Sequence, residues 1–343
     1  FLNPFGWRAV WRPFEYVFVW RHDPLLSGIS ELQPLAWGLN LWNGLPLLLA
    51  GWPLLALWRT RRHGPDALEW GVCAFGTALA LSGNRFVATY ALLAAPWCAR
   101  DLDEWWRSRR WTRAGANSWR EALATSALCV ALPLYEWTHY ENRFGIHPDD
   151  RREPVAACDF MQEHGIRGRG FNDFFLGGYM LWRFWPDPGR LPYFDIHPED
   201  KSEAERLAYL RAFTSTSGWT ALSRRREFDY ALLSRLRMRD PGLLDALDAD
   251  PGWSLVFADD AAAIFVRRDG ALAALASRDG YLLLPGGGRR TQVLAQDLVR
   301  DPALAAQLSL ELARQQRESS RTLASAPLRE LCTAAAAAAV APR

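Results

Sequence analysis

LQPLAWGLNLWNGLPLLLAGWPLLALW, residues 32–58, is a run of 27 positions without a charged side chain. As one helix it would rise ~40 Å, more than the ~30 Å hydrocarbon core of a bilayer. Pro46 and Pro53 stand inside it, and proline is tolerated in lipid-buried helices. Trp58 followed by Arg59, Arg61 and Arg62 has the pattern of an aromatic belt and a cytoplasmic stop. The stretch predicts a transmembrane helix, against the competing reading of a long buried core helix in a soluble protein.

Working outward, Trp70 to Ala99 is apolar except for Arg85 at its centre. A lone arginine in mid-bilayer costs several kcal/mol and should not face lipid. Either one long helix pairs Arg85 inside a bundle, or two short helices meet at Ser82-Gly83-Asn84-Arg85. Ser-Gly-Asn is turn chemistry, which favours the hairpin. Ala122 to Tyr135 is a third uncharged run, long enough to span only if Trp119, Arg120 and Glu121 snorkel at one end and Trp137 anchors the other. Arginines at 59–62 and 100–120 place both of those segments in the cytoplasm and everything after Trp137 outside. Residues 1–31, rich in Trp, Phe and Arg, read as an interfacial segment.

After Glu141 the pattern changes to alternating helices and strands. Helices are predicted at 153–164, 174–185, 240–248 and from an Asp200/Glu203 capping box to Phe213. Strands are predicted at Gly168–Phe171, Leu191–Ile196 and Phe228–Leu233, with a hairpin of Trp253–Ala258 and Ala261–Arg267. The β-α-β alternation argues for an α/β domain with a mixed sheet. The predicted fold class is thus transmembrane α-helices (32–138), an extracytoplasmic α/β domain (139–270), a helical extension (271–332) and a low-complexity alanine tail (333–343).

Ligands of such sheets bind beyond the carboxyl ends of the strands. Asn172 and Asp173 follow one predicted strand, and Asp195 and His197 end the next, so these four residues are cleft candidates. The alternative is local: a helix cap at Asn172 or Asp173 and a turn at His197-Pro198. There is no Gly-x-Gly-x-x-Gly, no Walker motif and no Ser/His/Asp order. The five cysteines, at 73, 98, 129, 158 and 332, have neither disulfide nor metal-ligand spacing. A formal net charge of +2 argues against a nucleic-acid partner. Lys201 is the single lysine, so nearly all the basic residues are arginine.

Several stretches together resemble bacterial multi-pass membrane proteins of the glycosyltransferase-like GT-C type, which use polyprenyl-phosphate sugars. They are Leu2-Asn3-Pro4-Phe5-Gly6-Trp7, Ile29-Ser30-Glu31, Asn84-Arg85-Phe86 and Ala95-Pro96 in the first half. In the second half they are Phe171-Asn172-Asp173-Phe174, Gly177-Gly178-Tyr179-Met180-Leu181-Trp182-Arg183, Phe228 to Leu233, Trp253 to Val266, Asp279-Gly280-Tyr281 and Leu284-Pro285. Two departures matter. Where the family has Asp-Gly-Arg, this chain has Asp195-Ile196-His197. The family's catalytic carboxylate lies in a first outer loop that is expected ahead of Phe1, so no base is carried over. The resemblance implies the C-terminal part of a multi-pass protein of the bacterial inner (cytoplasmic) membrane, with a lipid bilayer as partner and a polyprenyl-phosphate sugar as donor.

Two functions are then open. In the first, sugar passes from a lipid-linked donor to an envelope acceptor, with Arg85 as the cation for the lipid phosphate and Glu31 as its polar companion. Each has a structural alternative, a snorkelling or bundle-pairing arginine and a helix-end glutamate. In the second, the protein is non-catalytic and its α/β domain binds a partner or polysaccharide in envelope assembly.

Overall fold

The computed structural model of the chain describes residues 44–108, 151–198, 201–236, 242–301 and 303–340, with scattered positions in 4–40 and 119–149. The chain divides into two compact units, 1–143 and 144–343.

In the first unit, α1 (Trp7–Phe18) is a strongly amphipathic helix that leaves Trp7, Trp11, Phe14 and Phe18 exposed. Three further helices form the unit's core: α2 (Leu45–His63), α3 (Ala67–Ser82) and α4 (Val87–Ser108). Gly44 stands in the left-handed region at φ 82°, which glycine adopts without steric cost, and α2 starts immediately after it. Asp66 caps α3 by accepting from the amides of Leu68 and Glu69 at 3.0 and 3.2 Å. A single 3₁₀ turn, Asn84–Phe86, joins α3 to α4 and makes the two a hairpin. Pro53 has no N–H to give the Leu49 carbonyl, four residues back. The Tyr90 hydroxyl of α4 donates to that carbonyl instead, at 3.1 Å, and the ring packs on Trp52. Gly76 of α3 lets both rings approach: a Cβ there would stand 3.4 Å from Tyr90 and 3.6 Å from Trp52.

The expectation of transmembrane helices is corrected here. Among the described residues, no helix is long and apolar enough to cross a membrane. The uncharged run 32–58 is not one helix, because Gly44 interrupts it. The uncharged part of α2, Leu45–Trp58, rises only ~21 Å. All of α3, 16 residues, rises ~24 Å. The C-terminal half of α4 carries Arg100, Asp101, Asp103, Glu104 and Arg107. Of the third run, 122–135, the described positions 123, 125–127, 129–131, 134 and 135 are helical, and the other five lie outside the described residues.

Those charges close one end of the bundle. Arg100 donates to Glu69 of α3 at 2.5 Å and to Asp101 at 2.8 Å, and Arg59 of α2 donates to Glu104 at 2.5 Å, which also pairs with His63. Glu69 and Asp101 are almost wholly buried, and each keeps one oxygen without a hydrogen bond. Burial pushes the Glu69 carboxyl up, and the neighbouring Asp101 adds to that against the pull of Arg100.

The second unit opens with α5 (Val155–Glu163), β1 (Gly170–Asn172) and α6 (Phe174–Phe184). Then follow α7 (Glu203–Thr214), α8 (Thr216–Arg226), β2 (Tyr230–Ser234), α9 (Leu243–Ala249), β3 (Trp253–Ala258) and β4 (Ala262–Arg267). The helical end comprises α10 (Ala273–Asp279), α11 (Gly288–Arg300), α12 (Leu304–Glu318) and α13 (Ala326–Val340). The sheet is mixed, in the order β1-β2-β4-β3. β1 runs parallel to β2 with Phe171 opposite Ala231, and the other pairs are antiparallel.

Strand residues buried on both faces explain the near-continuous apolar runs of β2, β3 and β4. One face packs on Met161, Met180 and Phe184 of α5 and α6, together with α10. Elsewhere Phe171 of β1 meets the rings of Tyr209, Trp219 and Phe228 at 5.1–5.3 Å. Two expectations shift. The capping box of α7 is Ser202/Glu205, three residues apart as the motif requires, not Asp200/Glu203. Leu191–Ile196 is irregular backbone and joins no strand.

Candidate functional site

The carboxyl end of β1 is where the sequence predicts a cleft, and the structure brings the four candidate residues together there. It also spends the polar side-chain atoms of Asn172, Asp173 and Asp195 on the fold. Asn172 is 1% exposed. Its amide nitrogen donates to the carbonyls of Asp173 and Phe194 at 2.8 and 2.7 Å. Its amide oxygen accepts from the backbone of Tyr193 and Phe194 at 2.7 and 3.2 Å. One side chain thus does for 193–194 what a strand ladder would have done, which is why 191–196 stays irregular. Tyr209 of α7 completes the join: its hydroxyl donates to the Asn172 carbonyl at 3.0 Å and accepts from the Phe174 amide at 2.6 Å.

Asp173 is the N-cap of α6, accepting from Phe175 at 3.0 Å. Asp195 accepts from the His197 amide at 2.8 Å, an Asx turn, and the His197 ring stays exposed 3.9 Å from the same carboxylate. Gly177 allows α6 to lie against this loop. A Cβ there would overlap the Phe194 carbonyl and stand 2.7 Å from the Asp195 Cα. The local readings therefore account for Asp173 and Asp195, whereas Asn172 caps no helix and holds the backbone of 193–194 instead.

Arg85 sits in the turn between α3 and α4, exposed, with its guanidinium 6.0 Å from the Phe86 ring and no carboxylate partner among the described residues. Glu31 lies outside the described residues.

The outer face of α6 presents a feature that the sequence reading passed over. Phe174, Gly177, Met180 and Phe184 are buried on one side. On the other, Phe175, Tyr179 and Trp182 recur at four- and three-residue spacing, and Trp185 continues the row. Trp182 and Trp185 are each 69% exposed. Tyr179 is half-buried, with its ring 5.4 Å from that of Trp182. Burial pushes its hydroxyl up to about 12, so the phenol keeps its proton and its capacity to donate. Arg183 and Asp159 pair at 3.2 Å nearby and supply both a donor fork and an acceptor. The available signal was a helix apolar on all sides whose second stripe consists only of aromatic residues. A helix apolar all round is ordinarily buried, and this one is not.

The sequence matches no protein-family model, and no curated protein matches it. Among solved structures, the chain is similar to the archaeal oligosaccharyltransferase AglB from Archaeoglobus fulgidus, solved in complex with an inhibitory peptide and a dolichol-phosphate. The identity is 12% and the TM-score 0.42, over 73% of this chain and 35% of that one. The chain spans about a third of the length of that structure, and the likeness is distant and partial.

Proposed function

We propose that this chain engages a glycan through the aromatic face of α6, as its share in moving sugar from a polyprenyl-phosphate-linked donor to an acceptor. The carrying observation is the row of Phe175, Tyr179, Trp182 and Trp185, in which Trp182 and Trp185 are largely exposed and Tyr179 is half-buried. A pyranose ring is apolar on its C–H faces and polar at its edge. It therefore lies against an aromatic ring while its hydroxyls seek donors and acceptors beside that ring. The row offers both requirements: two indole rings in water, with the Tyr179 hydroxyl and the Arg183/Asp159 pair nearby. Covering one face of an exposed indole removes roughly 75–100 Å² of apolar area from water, worth about 2 kcal/mol per ring. A second reading, non-catalytic binding of an envelope polysaccharide, shares this contact. It is favoured by the structural employment of Asn172, Asp173 and Asp195, which leaves those side chains committed to the fold.

The experiment is a calorimetric titration of the chain with a polyprenyl-phosphate-linked oligosaccharide and with the same oligosaccharide free. Binding of both is expected. The doubly substituted Trp182→Ala, Trp185→Ala protein should bind each about 1,000-fold more weakly, two rings at about 2 kcal/mol each, while keeping its helical circular dichroism. Binding that survives the double substitution, or no binding by the unsubstituted chain, removes the glycan reading. Sugar transfer to an acceptor in the presence of the chain, measured with labelled donor, separates participation in transfer from binding alone.

A further inference from the structure

The hairpin of α3 and α4 is closed at one end by its covalent turn, Asn84–Phe86. Glu69 stands in the first turn of α3 and Asp101 in the C-terminal half of α4, so the two meet at the opposite, open end. Their side chains are 2% and 0% exposed. One guanidinium holds both. Arg100 donates through a terminal nitrogen to Oε2 of Glu69 at 2.5 Å and through Nε to Oδ1 of Asp101 at 2.8 Å. The remaining oxygens, Oε1 of Glu69 and Oδ2 of Asp101, accept from no donor among the described residues. The two carboxyl groups are nonetheless in hydrogen-bond contact with each other. A pair of carboxylates cannot make that contact, because both groups are negative and neither can donate. A carboxyl beside a carboxylate can.

The surrounding groups supply no other donor. From α2, Arg59 donates to Glu104 at 2.5 Å and stands 3.6 Å from Oδ1 of Asp101, while His63 also pairs with Glu104. From α3, Asp66 is committed to the amides of Leu68 and Glu69, and Cys73 is a buried thiol whose pKa burial raises. From α4, burial likewise raises the Cys98 thiol, and Asp103 pairs with Arg107 on the exposed side.

We propose that Glu69 and Asp101 share one proton at neutral pH, and that this proton latches the open end of the hairpin. Among the described residues Asp101 has two guanidinium groups within 3.6 Å and Glu69 has one, so the charge rests on Asp101 and the proton on Glu69. As pH rises through the folded value of the pair, the proton passes to water and two buried negative oxygens are left facing each other. The latch is therefore complete in acid and is lost towards alkaline pH.

The first test is the infrared spectrum of the full chain at neutral pH, where a protonated carboxyl absorbs apart from carboxylates and from the backbone amides. The parent should show the absorption of one more carboxylic acid than either Glu69→Gln or Asp101→Asn. In each variant an amide N–H takes the place of the proton, so the contact and the fold persist. A parent without any carboxylic-acid band, or a band undiminished in either variant, overturns the proposal. The second test is amide hydrogen exchange over residues 97–105, at the alkaline pH where the band has left the parent spectrum. There the parent should exchange at least tenfold faster than Glu69→Gln at the same pH. Equal exchange would mean that the two helices stay joined without the proton, and overturns the latch. Neither substitution touches α6, so the outcome is independent of the glycan reading.

Discussion

Replacing Asn172 by Asp keeps the shape of the side chain and reverses the sign of half its contacts. The carboxylate can still accept from Tyr193 and Phe194. It cannot donate to the carbonyls of Asp173 and Phe194, which now face a negative oxygen at about 2.8 and 2.7 Å. Each lost bond with a buried acceptor left unpaired costs ~1–3 kcal/mol, so the substitution should destabilise the second unit by about 3–5 kcal/mol at neutral pH. The deficit has a pH signature. A carboxyl held in this buried place has its folded pKa above its unfolded value, so it is tolerated below the unfolded pKa and its penalty grows as pH rises through the folded one. In acid, one O–H restores one of the two donors. The assay is urea unfolding followed by circular dichroism at about pH 4 and pH 7. Asp173→Ala, which removes a helix cap, is the reference and should cost ~1 kcal/mol. An Asn172→Asp protein as stable as the parent at neutral pH would refute the assignment of Asn172 to the fold.

Other substitutions follow from the same geometry. Gly177→Ala should lower stability by ~2–4 kcal/mol through overlap with the Phe194 carbonyl. Gly178→Ala, whose nearest neighbour is 3.9 Å away, should be neutral or stabilising by up to ~1 kcal/mol; equal melting temperatures for the two variants would contradict this. In the first unit, Tyr90→Phe should cost ~1 kcal/mol by leaving the Leu49 carbonyl without its donor. Pro53→Ala restores a helical N–H to that carbonyl, so the Tyr90→Phe penalty should shrink in its presence, and a double-mutant cycle without coupling would count against the account. Glu69 has its folded pKa raised, so its contribution to stability is complete below the unfolded value of about 4.3 and is lost as pH rises through the folded value. Glu69→Gln should therefore flatten the fall in melting temperature above about pH 4, and an unchanged pH profile would exclude the buried carboxyl as its source.

Much of the second unit was legible because its signals are local. The Trp253–Ala258 and Ala262–Arg267 hairpin, α5 and α6 each follow from periodicity within a short window. Leu191–Ile196 failed for a non-local reason. Its apolar alternation is that of a strand, yet a side chain twenty residues earlier, Asn172, claims its backbone. In the first unit the apolar composition was read correctly and its continuity was not. Gly44 cuts the 27-residue run, and Leu47, Leu54, Phe75 and Leu92 remain exposed on helices whose uncharged parts are short. The cleft candidates were found through a rule about strand ends, which locates a place and not a task. In that place the polar atoms hold the loop 193–197. The aromatic row of α6 was missed because apolar residues on both faces of a helix look like burial until Trp182 and Trp185 are seen exposed.

Most direct is one oligosaccharide titration run on three proteins side by side: the parent chain, Trp182→Ala with Trp185→Ala, and Asp173→Asn with Asp195→Asn. Asparagine can still accept the amides of Phe175 and His197, so the third protein keeps its fold. If sugar rests on the aromatic face, the tryptophan variant loses about 1,000-fold in affinity and the asparagine variant matches the parent. The reverse order, with binding lost in the asparagine variant and retained without the two indoles, would return the site to the strand end and contradict the account.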